Sequence, residues 1–426
     1  MNKTELNKVD FTLPKGFKAA GEHVGLKRKR KDLALIYSEV GAEVAMALTT
    51  NVVKAAPILW NASIDKSGAK AKAIVVNSGN ANSCTGSAGN LHAERMAVKT
   101  AACLGIKPEE VLIASTGIIG VPLPIDKVEK GIEIVAPMLS NSSESAIAAC
   151  NAIMTTDSFA KHCTVYAQIG GKLVTFAAMA KGSGMIHPNM ATMLSFVLTD
   201  LNISKALLEK ALKASVHQTY NMISVDGDTS TNDMVAMMAN GMAENAAIQE
   251  GSADWYTFLG ILSAVNTYLA KCIARDGEGA TKLLTVTVTG SKNIEEAQKL
   301  SKSVVASSLV KTAIFGEDAN WGRVIAALGY AGVAFDPAKV SLDFISEAGQ
   351  LPLLKSGEPC IFNEGFAADI MKKSDIEILI DLDQGCSTAT AWGCDLSFDY
   401  VRINGNYRSS VTTLPIPANS PRTGTA

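Results

Sequence analysis

Short apolar runs that alternate with longer amphipathic stretches are the feature that most restricts the fold of this chain. The alternation is typical of a mixed α/β protein. With 426 residues, 47% of them hydrophobic, the chain can bury a sizeable core. We expect strands at 33–37, 73–76, 111–114, 173–178 and 193–198, and helices at 87–104, 204–220 and 253–273.

A second, similar pattern begins near Leu283. It predicts a smaller α/β lobe at about 283–385, and the sequence contains no internal repeat. The expected order is a strand at 283–288, a helix at 294–308, a strand at 312–315, a helix at 321–328, and strands near Val340 and Ile376.

The composition argues against nucleic acid and membrane partners. The formal net charge is −2, and the only basic run, 27–31, is short and is interpreted as a solvated segment. No apolar stretch approaches the roughly 20 residues that span a bilayer, and residues 1–10 lack the apolar core of a signal peptide. The eight cysteines have no CxxC spacing and are interpreted as reduced core thiols. We therefore expect a cytoplasmic protein.

Thr192 stands where the chain could cut itself. A threonine at a new N-terminus carries a hydroxyl nucleophile and an α-amine of pKa about 7.7 to 8.0 that can serve as its base. The preceding segment, 181–191, is rich in Gly and Pro turn residues, and an apolar run follows from Met193. From the residues alone, this pattern is more often a loop that enters a buried strand.

Three other sequence features do not indicate a bound cofactor, a metal ion or a catalytic histidine. The run that starts at Asp226 begins like a calcium loop, but Thr231 stands where an EF-hand needs glycine and Met237 where it needs glutamate. The glycines at 79–86 and 182–184 match neither the dinucleotide nor the P-loop spacing. His187 is a lone histidine beside a proline, which is more often structural than catalytic.

Eleven stretches spread over roughly residues 14 to 409 resemble, in order, motifs of the ornithine acetyltransferase family, also called bifunctional glutamate N-acetyltransferases. None of them would suffice alone. They are Pro14–Phe17, Gly25–Lys27, Asp32–Ala34, Val76–Gly86, Ser115–Gly120, Met154–Asp157, Lys181–Leu194, Ser224–Asp233, Asp276–Lys282, Asn320–Arg323 and Tyr400–Asn404.

The resemblance implies a self-processing, N-terminal-nucleophile-like acetyltransferase fold of mixed α/β layers. Cleavage between Ala191 and Thr192 would divide the chain into an α-chain segment, 1–191, and a β-chain segment, 192–426. Two copies of each fragment would form a heterotetramer. Thr192 would take the acetyl group of N-acetylornithine and pass it to glutamate by a ping-pong route in arginine biosynthesis, and the acyl ester makes a cofactor unnecessary.

The resemblance also implies the roles of individual residues. The Thr116 hydroxyl and the Gly117 N–H, in a loop after a strand, would hold the oxyanion. We expect Lys181 to meet an anionic part of the ligand and Glu278 a cationic part, whereas the alternative for both is an ordinary surface charge. The residues that would bind substrate are Thr156, Lys181, Thr192, Glu278, Asn404 and Ser409.

Several alternatives stay open at this point. An N-terminal-nucleophile amidohydrolase would pass the acyl group to water, a non-processing relative would only bind amino acids or partners, and a paralogue would use another acetylated amine. Some relatives also accept acetyl-coenzyme A, and no residue decides this. Position 409 is serine where the family usually has threonine, and residues 410–426 extend past the usual family end and are expected to be flexible.

Overall fold

The computed structural model describes residues 11–187 and 193–406, and it confirms the expected mixed α/β architecture, with two β-sheets. The strands are β1 Phe17–Glu22, β2 Leu33–Leu48, β3 Ala71–Asn80, β4 Val111–Ile118, β5 Lys161–Ile169, β6 Lys172–Lys181, β7 Leu194–Thr199, β8 Ile223–Ser224, β9 Met234–Ala239, β10 Leu283–Ser291, β11 Ser341–Ser346, β12 Gly349–Lys355, β13 Glu358–Pro359, β14 Asp375–Asp381 and β15 Ser387–Cys394. The α-helices are α1 Ala56–Ser67, α2 Gly86–Leu104, α3 Ile125–Val135, α4 Ser143–Ile153, α5 Lys205–Gln218, α6 Ala253–Arg275, α7 Ile294–Ala306, α8 Ser308–Phe315, α9 Trp321–Gly329, α10 Glu364–Met371 and α11 Phe398–Gly405.

The first sheet has the strand order β4-β3-β2-β9-β7-β6-β5, with β1 paired to β2. Its long strand β2 changes partner along its length. Residues 33–37 and Ala42 pair with β3, with a register irregularity between Tyr37 and Ala42, and residues 43–48 pair with β9. Strands β7 and β9 run parallel, as do β3 and β4. The side chain of Asn232, just before β9, donates a hydrogen bond to Ser115 O in β4 at 2.9 Å, so the carboxyl end of β4 and the start of β9 lie in one region of the molecule.

Alternating side chains of the first sheet enter two different cores. Phe196 and Met234 pack with α1 and α4 on one face, whereas Val197 and Val235 face the core that contains α5 and α6. This alternation is the period of two that a strand imposes on its side chains. One core therefore contains α5 and α6, whereas the other contains α1, α4 and side chains of β2, β3 and β4.

The second sheet has the order β13-β12-β11-β14-β10-β15-β8. Six of its strands come from residues 283–394, and the seventh, β8, comes from earlier in the chain. Helix α7 packs on β10 and β15, and α10 packs on β11 and β12. Strand β8 pairs with β15 in parallel, which links the second sheet to the segment that follows α5.

Helix α6 has 23 residues and, among the described residues, is long and apolar enough by length and composition to cross a membrane. No such stretch is expected from the sequence. Half of its most apolar window is buried, and the helix contacts β5 and β6 of the first sheet and β10 and β15 of the second. Packing on both sheets identifies α6 as a core helix.

The predicted strand at 312–315 is wrong, because these residues belong to helix α8. The Ser307 hydroxyl accepts a hydrogen bond from Val310 N and caps the helix. Val310, Ala313 and Ile314 are buried at helical spacing. Since Ser307 starts this new helix, the helix predicted for 294–308 ends at Ala306.

Candidate active site

A cavity of about 660 Å³ lies at the ends of β4 and β6 and the start of β7. Its size is within the usual range for small-molecule sites, about 300 to 1,000 Å³. The predicted site residues that line it are Thr116, Gly117, Thr156, Lys181, Glu278 and Asn404. The other predicted site residues, Ala191, Thr192 and Ser409, lie outside the described residues.

Thr116 and Gly117 lie within the end of β4, where the sequence analysis expects a loop after the strand. Gly117 has φ +135°, and a Cβ there would lie 2.3 Å from the carbonyl carbon of Gly79 and 2.5 Å from Asn80 N. Only glycine fits this backbone and this approach to β3. The Thr116 Oγ1 accepts a hydrogen bond of 3.3 Å from Lys181 Nζ, so the two predicted groups meet.

Lys181, the last residue of β6, is 7% exposed, which excludes an ordinary surface charge. Burial lowers its pKa, although the nearby carboxyl groups of Asp157, Asp233 and Glu278 act in the opposite direction. Within the described part of the chain, Thr116 is the one hydrogen-bond partner of its ammonium group. The charge of Lys181 is therefore available to an anionic group in the cavity.

Glu278 is likewise buried, with 6% exposure. Its Oε2 accepts a hydrogen bond of 2.7 Å from Asn404 Nδ2 on α11, and its backbone N donates to Ser183 O at 3.0 Å. A Cβ at Gly184 would lie 2.4 Å from the carboxyl carbon of Glu278, so glycine makes room for this side chain. The two predicted substrate-binding residues Glu278 and Asn404 are therefore hydrogen-bonded to each other.

A buried ion network ties together the chain segments that carry these residues. Lys161 Nζ lies 2.7 Å from Asp157 Oδ1 and also pairs with Asp276. Although burial lowers the pKa of Lys161, the two carboxylates outweigh it and raise that pKa. Asp157 accepts from Gly182 N, next to Lys181, and Asp276 is two residues before Glu278. Asp157 and Asp276 lie in motifs that resemble the family, but the motifs indicate no role for either residue. Sequence reasoning therefore missed the network.

Asp233, just before β9, is a further cavity residue that sequence reasoning did not assign. It is 3% exposed, and its Oδ2 is buried with no hydrogen-bond partner in the described structure. Burial raises the pKa of Asp233 well above its usual range, since hydrogen bonds from Ser230 and the charge of Lys181 offset only part of the desolvation. A buried carboxyl oxygen without a hydrogen-bond partner is rare in folded proteins.

We expect Asp233→Asn to raise stability in a pH-dependent way. In the unfolded chain Asp233 titrates near about 3.9, whereas its folded-state pKa is higher. Asp233 therefore costs stability increasingly as the pH rises above the unfolded value, up to its folded pKa. Asparagine does not ionise, so the thermal midpoint of the variant relative to the natural chain should increase from pH 4 to pH 8.

The exposed Asp369 provides the control for this measurement. Asp369→Asn removes a carboxylate that solvent already hydrates, so its difference in thermal midpoint should stay nearly constant with pH. If the difference in thermal midpoint for Asp233→Asn is also constant with pH, the folded-state pKa of Asp233 is not raised.

The structure also bears on the expectations for His187 and for the basic run. His187 Nδ1 lies 3.0 Å from Ser224 Oγ, and burial lowers the pKa of His187 to about 4, so the ring is neutral near pH 7. The expectation that the basic run is a solvated segment is wrong for Lys27, which is 5% exposed and donates to Met154 O at 2.8 Å.

The eight cysteines are all free, but they are not all core thiols. Three of them, Cys84, Cys103 and Cys386, are exposed. Within the described ranges, no group of three or more His, Cys, Asp or Glu side chains could hold a metal ion.

A family model described as the ArgJ family matches residues 18–409. The chain belongs to the ArgJ family. A curated ArgJ-family relative, "Arginine biosynthesis bifunctional protein ArgJ" from Caldanaerobacter subterraneus subsp. tengcongensis, is 55% identical over 397 residues, which cover 93% of this chain and 98% of the relative. A protein of the same name from Listeria monocytogenes is 49% identical over 405 residues, with coverages of 95% and 100%.

Solved structures of ArgJ-like proteins are similar as well. The crystal structure of arginine biosynthesis bifunctional protein argJ from Bacillus halodurans has 49% identity and a TM-score of 0.49, and the match covers 51% of this chain and all of the solved chain. Ornithine acetyltransferase complexed with ornithine, from Mycobacterium tuberculosis, has 36% identity and a TM-score of 0.38, with coverages of 43% and 96%. Membership of the ArgJ family confirms the resemblance seen in the sequence motifs, and assigns the chain to the enzymes of arginine biosynthesis.

Proposed function

We propose that this chain cuts itself between Ala191 and Thr192 and then moves an acetyl group from N-acetylornithine to glutamate. The Thr192 hydroxyl attacks the acetyl carbonyl carbon, and the C–N bond to ornithine breaks as the amine gains a proton. The acetyl ester on Thr192 is then attacked by the amine of glutamate, which restores the hydroxyl. Cleavage divides the chain into the segments 1–191 and 192–426.

The grouping of distant residues in one cavity carries this proposal. Six of the predicted residues come from five separate parts of the sequence, and all six line the same cavity. Met193 also lines it. Met193 directly follows Thr192 in the sequence.

The charges in the cavity suit an N-acetylated amino acid. Such a ligand offers a carboxylate, a neutral acetamide and, for ornithine, a side-chain ammonium. We assign Lys181 to the carboxylate and Glu278, steadied by Asn404, to the ammonium. Thr116 and Gly117 hold the developing oxyanion, and Thr156 and Ser409 complete the binding site.

Removing the hydroxyl of Thr116 should slow turnover. For Thr116→Ala we expect kcat to fall by about 10² to 10³, the usual effect of losing one oxyanion donor, with a smaller change in KM. Thr116→Ser keeps the hydroxyl and is the matched control. The measurement is acetyl transfer from N-acetylornithine to glutamate, and an unaltered kcat in Thr116→Ala would remove Thr116 from the oxyanion site.

Neutralising Glu278 should weaken binding of the donor. Glu278→Gln keeps the shape and an oxygen that can accept from Asn404, but it loses the charge. A charge-assisted hydrogen bond contributes about 1.5 to 3 kcal/mol, so we expect KM for N-acetylornithine to rise roughly 10- to 100-fold. Glu94→Gln, at an exposed position of α2, should leave KM unchanged. If Glu278→Gln also leaves it unchanged, the pairing with the ammonium is wrong.

We further propose that two α and two β fragments assemble, and that the enzyme works in the cytoplasm. The eight free cysteines support a reducing compartment. The oligomeric state is testable by light scattering on the cleaved protein, where a mass near that of a single chain would exclude the heterotetramer.

The decisive experiment is the intact mass of the freshly purified protein under denaturing conditions, before and after N-acetylornithine is added. We expect two fragments divided at Ala191/Thr192, of which the second gains one acetyl group. Transfer of that group to glutamate separates the proposal from an amidohydrolase, which would release acetate without an acceptor. A single uncut chain would indicate a non-processing relative that only binds amino acids.

A further inference from the structure

Two stretches of the chain flank the proposed cleavage site, and one continuous piece of the structure contacts both of them. The bond Ala191–Thr192 falls in 188–192, which lie outside the described residues. The upstream flank, 185–187, and the downstream flank, 193–194, are both described. Each of them is hydrogen-bonded to residues 224–234, which we call the anchor segment.

The carboxylate of Asp226 holds the beginning of the upstream flank. Its Oδ2 accepts a hydrogen bond from Met185 N at 2.6 Å, and its Oδ1 accepts one from Ile186 N at 2.8 Å. Met185 has φ +58°, a left-handed conformation that residues other than glycine rarely adopt. Its side chain is 43% exposed, so packing alone does not enforce this conformation. The two bonds to Asp226 therefore stabilise a strained turn just before the cleavage segment.

Three further contacts hold the rest of the upstream flank. Val225 N donates to Ile186 O at 2.6 Å, and Thr229 Oγ1 donates to His187 O at 2.7 Å. His187 Nδ1 lies 3.0 Å from Ser224 Oγ. Ile186 also forms an antiparallel β-bridge with Thr229. The flank is thus fixed as far as the last described residue before the cleavage segment.

The downstream flank is fixed by the end of the same anchor segment. Met234 N donates to Met193 O at 2.9 Å. From there Leu194 pairs with Met234 in the parallel register of β7 and β9. Met193 is 3% exposed, so this flank is also buried. Both flanks are therefore held in place relative to each other by a single piece of the chain.

We propose that the anchor segment positions the chain for self-cleavage, and that Asp226 is its principal positioning residue. Cleavage of a chain by its own hydroxyl depends on how often the hydroxyl meets the carbonyl carbon, and a fixed geometry raises that frequency. The upstream flank leads to the Ala191 carbonyl, and the downstream flank leads to Thr192. Asp226 acts through the upstream flank and takes no part in the bonds that form and break.

The inference rests on the proposed function, in which the chain cuts itself. The Thr192 hydroxyl oxygen attacks the Ala191 carbonyl carbon, a C–O bond forms, the C–N bond breaks, and the freed amine gains the hydroxyl proton. Water then hydrolyses the ester, which leaves a carboxylate on Ala191 and restores the hydroxyl.

The test follows the rate of cleavage in Asp226→Asn. Asparagine keeps one acceptor oxygen, so one of the two backbone N–H groups of the upstream flank loses its charged partner. Chains made by cell-free translation are denatured at intervals, and the cut fraction is read from the intact mass. We expect cleavage to slow roughly 10- to 100-fold, and Asp226→Ala, which removes both acceptors, to be at least as slow.

A second readout separates positioning from general damage. After the cut, the upstream flank no longer leads to a reacting atom. The kcat for acetyl transfer, expressed per cut chain of Asp226→Asn, should therefore change far less than the cleavage rate. The fold is checked by the thermal midpoint in a Thr192→Ala background, where no chain is cut, and it should lie close to that of Thr192→Ala alone.

Two matched controls isolate the contacts of Asp226 with the flank. Asp228 is exposed on the same loop, and Asp228→Asn removes the same charge without touching the flank. Tyr400 OH donates to Asp226 Oδ2 at 3.3 Å from α11, so Tyr400→Phe removes a different contact of the same carboxylate. Both controls should be cut at the natural rate.

A milder variant tests the anchor segment at another position. Thr229→Val keeps the shape of the side chain and loses the hydroxyl that donates to His187 O. Because this bond is uncharged, we expect cleavage to slow by only about 2- to 10-fold. If Asp226→Asn fails to fold, an unaltered cleavage rate in Thr229→Val overturns the inference.

The remaining outcomes are equally defined. If Asp226→Asn is cut as fast as the natural chain, the inference fails while the proposed function stands. An equal slowing in Asp228→Asn would assign the effect to net charge, and an equal slowing in Tyr400→Phe would assign it to the support of α11. Either result overturns the positioning role. If the natural chain is not cut at all, the proposed function fails as well.

Discussion

Replacing Thr192 with alanine is expected to leave a single chain of 426 residues with no measurable acetyl transfer. The hydroxyl is needed twice in the proposed chemistry, first to cut the Ala191–Thr192 bond and then to carry the acetyl group. The cut also liberates the α-amine that acts as base. Loss of nucleophile and base together should reduce kcat by roughly 10⁴-fold or more. Denaturing mass spectrometry and the transfer assay measure the two effects separately.

Thr192→Ser provides the matched control for this change. Serine keeps a hydroxyl at the same position and loses one methyl group, so we expect the chain to be cut and to become acetylated, with altered rates. A Thr192→Ala protein that is still cut and active would place the nucleophile elsewhere. That result would not change the assignment of the fold, which rests on the described residues.

The second large effect is expected at Lys161, and it concerns stability. Lys161→Met leaves the carboxylates of Asp157 and Asp276 buried without their shared cation. Removing one partner of a buried ion pair typically costs about 3 to 5 kcal/mol, because the remaining charge is neither hydrated nor paired. We expect a correspondingly lower free energy of unfolding in denaturant titrations, and a higher KM because the segments of Lys181 and Glu278 lose their tie.

Lys99→Met is the matched control, since Lys99 pairs with Glu133 at the protein surface. An exposed pair contributes about 0 to 1 kcal/mol, so this variant should be nearly as stable as the natural chain. A similarly small effect of Lys161→Met would show that solvent or rearrangement compensates the buried carboxylates. The double variant Lys161→Met/Asp276→Asn should recover part of the loss.

The buried ion network also predicts how stability depends on pH. Lys161 holds the pKa of Asp157 below its usual range, even though burial alone would raise it. A carboxyl group whose folded-state pKa is lowered contributes stability above its unfolded-state pKa, and this contribution is lost as the pH falls through the folded value. The network is therefore intact at neutral pH and weakens only in strong acid.

The identity of most site residues could be predicted from the sequence, but their arrangement could not. Thr116, Lys181 and Glu278 stand in motifs that resemble a known family, and all three line the cavity. Nothing in the motifs indicates that Lys181 Nζ contacts Thr116 Oγ1 or that Asn404 donates to Glu278. These contacts join residues far apart in the chain, whereas a sequence pattern reports neighbours along it.

Burial was the property that sequence reasoning judged least well. Lys27 begins a run of charges, which predicts a solvated segment, yet its ammonium is buried against Met154. A short apolar run such as 312–315 fits a strand as well as a helix, and the cap at Ser307 decides for a helix. Asp233 ends the motif Ser224–Asp233, and only the tertiary structure shows that it is buried and that one of its carboxyl oxygens has no partner.

The sequence by itself determined the α/β class, the family and the chemical types of the site residues, because periodicity and motifs are local properties of the chain. Only the tertiary structure decided that Lys161 joins Asp157 to Asp276, that Lys181 and Asp233 are buried in the same cavity, and that Arg30 donates to the backbone of Thr155 in the cavity wall. Burial and long-range pairing set the energy of a charge, and both depend on which distant segments the fold brings into contact.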